Sequence, residues 1–457
     1  MGPVGRAPAA PGRTQGVDVV KKIPGPRGLE ILSTIFRFQR DPLTTLADLT
    51  NRYGDIVTYR YGPFSIVLLN HPEAVQRMLQ DNHPNYNKKH SPFYKMMRHF
   101  LGDGLVTSDG DFWKRQRRLA QPAFSRKRLE ALAPLMVQCT QDMLEDWRKL
   151  PQGTVLNAAD EMMKLTLRIV GLALFSLDVS AETRDIAHCL EVLQGQMTQR
   201  FQSLVPLPPV LPTKRDRLFR ESRRRLDEIA MKIVAERRAQ SNRPQDLLTS
   251  LLEARDPETG ESMSDRQLCD ELITFLLAGH ETTANALAWT FYLLSLNPDQ
   301  RRRLEAESKA APTVEDLPQM PLSERIVLES MRLYPPVWVY GRMSYAPDEF
   351  MGYKIGKNQL VTIAPYVLHR NPAVWPNPEG FDPDRFLLER PKGAYVPFAH
   401  GPRLCIGNHF AMMEARLLLV TIASQVRLNL QAGTRVGLEA LVTLRPRGGL
   451  PMTLEWR

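Results

Sequence analysis

Four short stretches of this sequence place reactive side chains at spacings that chemistry can use. The first is Phe398-Ala-His-Gly-Pro-Arg-Leu-Cys-Ile-Gly407, with a helical pattern beginning at Asn408. A thiolate on Cys405 would stand just before a helix start, where unpaired backbone N–H groups and the positive helix end favour negative charge. Gly401, Pro402 and Gly407 make a tight loop that can bring N–H groups to the sulfur, and Phe398 can shield one side of it. A lone cysteine is most often a small buried hydrophobe. The glycine-bounded loop, Arg403 two residues before and the helix start after describe a protected anionic ligand instead.

The second stretch is Ala278-Gly-His-Glu-Thr-Thr283, inside a long apolar helical pattern. Gly279 has no side chain to hold another group off the backbone, and the Thr282 hydroxyl can bond a carbonyl one turn back and bend the helix. Glu281 in so apolar a helix is costly unless paired or hydrated. The third, Glu329-Ser-Met-Arg332, sets an acid and a base on one helical face. The fourth, Trp113-Lys-Arg-Gln-Arg117, puts an indole and a guanidinium on one side of a helix.

The cysteine segment resembles the haem-binding loop of the cytochrome P-450 family, Phe-x-x-Gly-x-Arg-x-Cys-x-Gly, at Phe398, Gly401, Arg403, Cys405 and Gly407. The other marks follow in the family's order. Residues 278–283 resemble the oxygen-activation segment, and Glu329 and Arg332 the Glu-x-x-Arg pair, closed by Arg385. Trp113 and Arg117 resemble the Trp-x-x-x-Arg helix. The likeness runs from Ile23-Pro-Gly-Pro-Arg-Gly28 to the carboxyl end. It implies a mainly α fold with small β-sheets, and haem lying between a long central helix and the cysteine loop.

Under that resemblance Cys405 is the metal ligand, and Arg403, Arg342, Trp113 and Arg117 contact the haem propionates. Phe398 and Gly279 border the cofactor, and Thr282 with Glu281 delivers protons. The implied cofactor is haem b (iron protoporphyrin IX), with O2 as co-substrate. Electrons would come from NAD(P)H through a reductase and a ferredoxin or flavodoxin. The implied reaction inserts one oxygen atom into a C–H bond of a lipophilic substrate: a fatty acid, terpenoid, steroid or carotenoid. The segment 113–118 is similar to the fatty-acid, terpenoid and carotenoid hydroxylating branches, as a soluble bacterial-type member would be. Two rivals are a peroxide-driven peroxygenase of the same fold and a non-catalytic haem sensor or carrier. The first would prefer a different acid–base arrangement at Glu281 and Thr282; the second has no need of a proton-delivery threonine.

These residues need rigid supports. Periodicity predicts helices over 111–122, 125–149, 159–177, 182–201 and 218–238, and a central helix over 264–297 with Ser264 and Gln267 as a capping box. Shorter helices are expected over 322–333 and 408–426. Residues 55–61 and 64–69 flank Gly62-Pro63 as a hairpin, and 351–363 alternates like a small sheet. Residues 366–392 form a Pro-, Asn- and Asp-rich coil. The apolar, proline-rich connector 204–212 is a candidate lid or membrane-touching edge. Pocket walls are expected from 91–105, 201–212, 272–282, 337–340 and 442–443, with Trp338 and Tyr340 adding bulk.

At 457 residues the chain can bury a sizeable core, and its 43% hydrophobic and 24% charged residues exclude a disordered or fibrous protein. The Gly-, Pro- and Ala-rich residues 1–20 read as a disordered leader, and 21–457 as one catalytic domain. Four widely separated cysteines make neither a disulfide scaffold nor a close-spaced metal knuckle, so a cytoplasmic monomer is expected. No apolar run is long enough to span a bilayer, leaving at most peripheral membrane contact. The net charge of +10 favours acidic partners, but no nucleic-acid motif accompanies it. Lys114, Arg115 and Arg118 are the expected docking charges for an acidic electron donor.

Overall fold

The computed structural model describes residues 21–176, 183–201, 203, 211 and 213–457. The expected leader 1–20 and nearly all of the connector 204–212 lie outside the described residues. The longest helix is Asp265–Leu296, opened by the expected capping box: the Gln267 N–H donates to the Ser264 hydroxyl and the Ser264 N–H to the Gln267 side chain. At 1.5 Å per residue it runs about 48 Å.

Its two halves sit in different apolar clusters. Leu268 to Leu277 pack with the helices Thr183–Phe201 and Lys214–Ala239. Ala284 to Leu294 pack with Ala133–Arg148, Ala158–Phe175, Pro321–Leu333 and Asn408–Ala423. Between them Ala278, Gly279 and Thr282 are not buried, because a cavity opens there. The junction of two cores thus fixes where chemistry can happen.

The small sheets fall outside this helical mass. The hairpin Ile56–Tyr61 and Phe64–Leu69 forms as expected, and Leu360–Ile363 lies parallel to Phe64–Leu69, with Ile66 opposite Leu360. Tyr340–Ser344 and Tyr86–Asn87 complete five strands. The alternating stretch near 351–363 is therefore split: Tyr353–Ile355 turns back on Asp348–Phe350, while Leu360–Ile363 joins the larger sheet. The helix expected over 125–149 is also two, Arg126–Glu130 and Ala133–Arg148, with Pro134 in the first turn of the second. Helices Leu29–Arg40 and Pro42–Tyr53 were not expected; they pack beside the sheet's edge strand Ile56–Tyr61.

The irregular chain after residue 366 hangs from one buried acid. Glu329 accepts from Arg332 at 2.7 and 2.9 Å, from Arg385 Nε at 2.9 Å and from the Asp382 N–H at 2.9 Å. Arg332 also donates to the carbonyls of His369, Pro378 and Gly380. Both Glu329 and Arg332 are wholly buried, as the Glu-x-x-Arg resemblance implied. They position the coil that leads into the cysteine loop.

Candidate active site

The cysteine loop is pinned at both ends. Gly401 has φ 70°, and a Cβ there would lie 2.1 Å from the Leu79 carbonyl oxygen, so only glycine fits. The Cys405 N–H donates to the Phe398 carbonyl at 3.0 Å, and Arg117 donates to the Leu404 carbonyl at 3.0 Å. Cys405 is exposed, but to the lumen of a cavity of about 360 Å³ rather than to an open outer face. Burial pushes its thiol up, while the Gly407 N–H and the Arg117 charge pull it down. Phe398, Arg117 and Trp113 line the same cavity.

One wall carries an excess of positive charge. Arg403 stacks on the Trp113 ring at 3.6 Å, pairs with Asp109, and donates to the Ser108 carbonyl at 3.0 Å. Arg342 donates to the Tyr94 hydroxyl at 2.8 Å, and the Lys88 ammonium sits 4.7 Å from the Tyr94 ring centre. Lys88 is buried with its ammonium on the Val106 carbonyl at 2.7 Å. Burial, then Arg342 and Arg403, hold it well below the usual lysine range. Burial also lowers Arg403 to about 10, against the pull of Asp109. For Asp109 burial acts upward but is outweighed by Arg403 and the N–H groups of Lys88, Lys89 and Gly110, so its carboxyl is held low. Lys88, Arg342 and Arg403 are thus three basic groups on one wall with Asp109 as the one carboxylate that pairs there among the described residues. Basic groups therefore outnumber carboxylates on this wall, an excess that a bound anionic group would match.

The central helix supplies another wall. The Thr282 hydroxyl donates to the Ala278 carbonyl at 2.6 Å, the expected bond one turn back. Gly279 also lines the cavity, but a Cβ there would meet the Val170 side chain at 3.1 Å, so its missing side chain serves the packing of Ala158–Phe175. Glu281 is buried beside them rather than on the lining: it accepts from Thr443 at 2.6 Å and Gln194 at 2.8 Å. Burial holds its carboxyl above the usual range, although Thr443 and Arg445 act downward.

The expected walls are partly met. Tyr94, Leu105, Phe275, Val337 and Tyr340 line the cavity. Trp338 does not: its indole donates to the Leu441 carbonyl at 2.8 Å and its ring packs in a separate apolar cluster. Thr443 instead holds Glu281 and receives a bond from Asn285. Residues 201–212, the other expected wall, lie almost wholly outside the described residues.

The profile of the family described as Cytochrome P450 matches residues 23–444. The chain belongs to the cytochrome P450 family. It is 36% identical over 441 residues to cyclooctatin synthase from Streptomyces melanosporofaciens, covering 94% of this chain and 93% of that one. To cyclooctat-9-en-7-ol 5-monooxygenase from the same organism it is 35% identical over 442 residues, covering 94% and 95%. Its fold superposes on the crystal structure of the cytochrome P450DA heme domain with a TM-score of 0.85 at 26% identity, covering 96% and 98%.

As a cytochrome P450, the chain is a haem-thiolate monooxygenase acting on lipophilic substrates. The site fits that cofactor on its own terms: a thiol opening into the lumen suits an iron ligand, and an excess of basic groups over carboxylates suits a group bearing carboxylates. Lys88 and Tyr94 line the same cavity as the four residues expected from sequence. Nothing around Asn87-Lys88-Lys89-His90 marked Lys88 beforehand, since a lysine pair in a polar run normally faces water. The charges assigned to donor docking are otherwise engaged in this cytochrome P450. Arg115 pairs with Asp256 and Glu261, Arg118 with Asp256 and Glu258, and Lys114 with Asp111.

Proposed function

We propose that this monooxygenase hydroxylates a cyclic terpenoid hydrocarbon or its alcohol, and that Cys405, Thr282 and Glu281 carry the roles the family resemblance implied. The observation that carries it is the shared cavity: a thiol and a helix-bending threonine line one lumen whose other surfaces are mostly apolar. Relatives named for cyclooctatin and for a cyclic alkenol support the substrate class.

Bound haem b supplies the oxygen-activating chemistry, and O2 is the co-substrate. Cys405 ligates through its sulfur, steadied by the Gly407 N–H and Arg117. Lys88, Arg342 and Arg403 hold the two carboxylates, and Trp113 backs Arg403. The Thr282 hydroxyl, released from the Ala278 carbonyl, orders a water in the lumen. Glu281, whose carboxyl burial holds above the usual range, resupplies protons from behind it. Apolar side chains position the substrate by burying its area and exclude bulk water. Residues 21–457 act as one cytoplasmic, monomeric catalytic domain. A ferredoxin or flavodoxin with its NAD(P)H-dependent reductase supplies electrons.

The test is one assay that counts product, peroxide and cofactor consumed, run on terpenoid, fatty-acid and steroid panels. The ferrous carbon-monoxide complex should absorb at the red-shifted position of a thiolate adduct, and Cys405→Ala should lose it. Thr282→Ala should keep that signal and its substrate affinity, yet release more peroxide and make about tenfold less product per electron pair. Turnover of fatty acids alone would replace the terpenoid assignment. Unchanged coupling in Thr282→Ala would remove the threonine from proton delivery.

A further inference from the structure

The helix Leu29–Arg40 is apolar on two sides, and among the described residues only one of them is packed. Its inner side carries Ile31, Thr34, Ile35 and Phe38; Thr34 is buried, and the Phe38 ring lies 5.7 Å from that of Tyr59. The outer side carries Leu29, Leu32 and Phe36, exposed to 85%, 55% and 66%. Those positions, i, i+3 and i+7, form one stripe along the helix. A single exposed leucine needs no explanation, but three large apolar side chains aligned on one face do.

The stripe is bordered by cations without counter-charges. Lys22, Arg27 and Arg40 are exposed and make no ion pair among the described residues. The nearby acids are already committed. Glu30 takes Arg52 at 2.8 Å and the Tyr53 hydroxyl at 2.6 Å, Asp48 pairs with Arg37, and Asp41 caps the next helix at Thr44. The bond from Tyr53 and the pair with Arg52 also clamp the helix, so its outer face is presented rigidly.

We propose that this face docks on an anionic lipid surface. Leu29, Leu32 and Phe36 enter the boundary between headgroups and acyl chains, and Lys22, Arg27 and Arg40 lie against the headgroup phosphates. An interfacial helix needs this combination of an apolar stripe with flanking basic residues. A flat, fluid surface suits a stripe one helix wide. Unpaired cations choose an anionic over a zwitterionic surface, and long basic side chains can reach up to it while the apolar stripe sinks. The docking is independent of which lipophilic substrate the cavity takes.

The test is co-sedimentation of the full haem-loaded chain with phosphatidylcholine vesicles and with phosphatidylcholine–phosphatidylglycerol vesicles. Binding should be about tenfold or more tighter to the anionic vesicles and weaken as salt rises. The combined variant Leu29→Ser, Leu32→Ser, Phe36→Ser should lose about tenfold or more of that affinity, with its melting temperature and carbon-monoxide spectrum kept. Lys22→Gln, Arg27→Gln, Arg40→Gln should erase the preference for anionic lipid. Absence of binding to either vesicle overturns the proposal, as does equal binding by the serine variant. An original chain that is dimeric where the serine variant is monomeric, with neither bound to vesicles, assigns the face to a second copy and overturns it too.

Discussion

Glu271 on the central helix is a carboxyl sealed in the core with little to hold its charge. It accepts one bond, from the Leu105 N–H at 3.0 Å, and its other oxygen has no partner. Burial pushes it up to about 8 from 4.5, with Asp270 adding to the rise against that one bond. Between those two values the fold keeps the proton that the unfolded chain has released, so this residue makes stability fall as pH rises from about 4.5 to about 8. Above that window its contribution is constant. Glu271→Gln can still accept from the Leu105 N–H but has nothing to ionise. Denaturant unfolding from pH 5 to 8 should show the original losing about 2–4 kcal/mol more than the variant. Parallel curves would mean that Glu271 ionises normally in the fold, through water not visible in its hydrogen-bond set. Glu414 is a second buried carboxyl raised by burial to about 8, so the Glu271→Gln variant should keep some slope of its own.

At the scale of elements, a single acid, Glu329, ties the irregular coil to the helix Pro321–Leu333. Arg332→Leu strips Glu329 of its bidentate partner, leaves the His369 and Pro378 carbonyls without a donor, and leaves the Gly380 carbonyl with Arg385 alone. The loss should be about 3–5 kcal/mol, seen as a lower melting temperature and poor retention of haem on gel filtration. Arg385, whose charge is at the edge of the cluster, should cost less when changed to Lys than Arg332 does. Equal melting of original and Arg332→Leu would reduce the cluster to an ornament. This tether was legible in sequence because Glu329 and Arg332 are close in the chain and Arg385 sits in a distinctive Phe-Asp-Pro-Asp-Arg-Phe segment. The cysteine loop, the capped central helix and the first hairpin were legible for the same reason: each is specified by local spacing. Lys88 was not, because its burial comes from Tyr94, Val106, Arg342 and Arg403 meeting across the fold. Trp338 was misplaced because its position in the expected wall 337–340 does not say whether its ring enters the cavity or the apolar cluster beside it. The break in the helix near residue 131 turned on one proline within an otherwise continuous helical period.

For the whole molecule, the excess of ten positive charges says less than where they are left uncompensated. Arg115 and Arg118 seemed free in sequence, yet both reach the buried Asp256 and the exposed acids after it, so they clamp the 256–261 segment to the helix Gly110–Ala120. Asp256 is held below the usual carboxylate range by Arg118 first, then by the Glu258 N–H. Removing both arginines leaves the Asp256 carboxylate without a cation, which should lower the melting temperature. Lys114, paired with the exposed Asp111, should matter little in the same measurement. Steering of an acidic electron donor would then rest on the remaining positive surface, and its signature is a reduction rate that falls as salt rises. The two effects separate in one pair of experiments. Arg115→Ala, Arg118→Ala should melt lower than the original while its first-electron transfer, compared at a temperature where both are folded, keeps the original's salt slope. A variant that melts with the original but has lost the salt slope would return these arginines to the docking face, and the clamp on Asp256 would be the incidental contact.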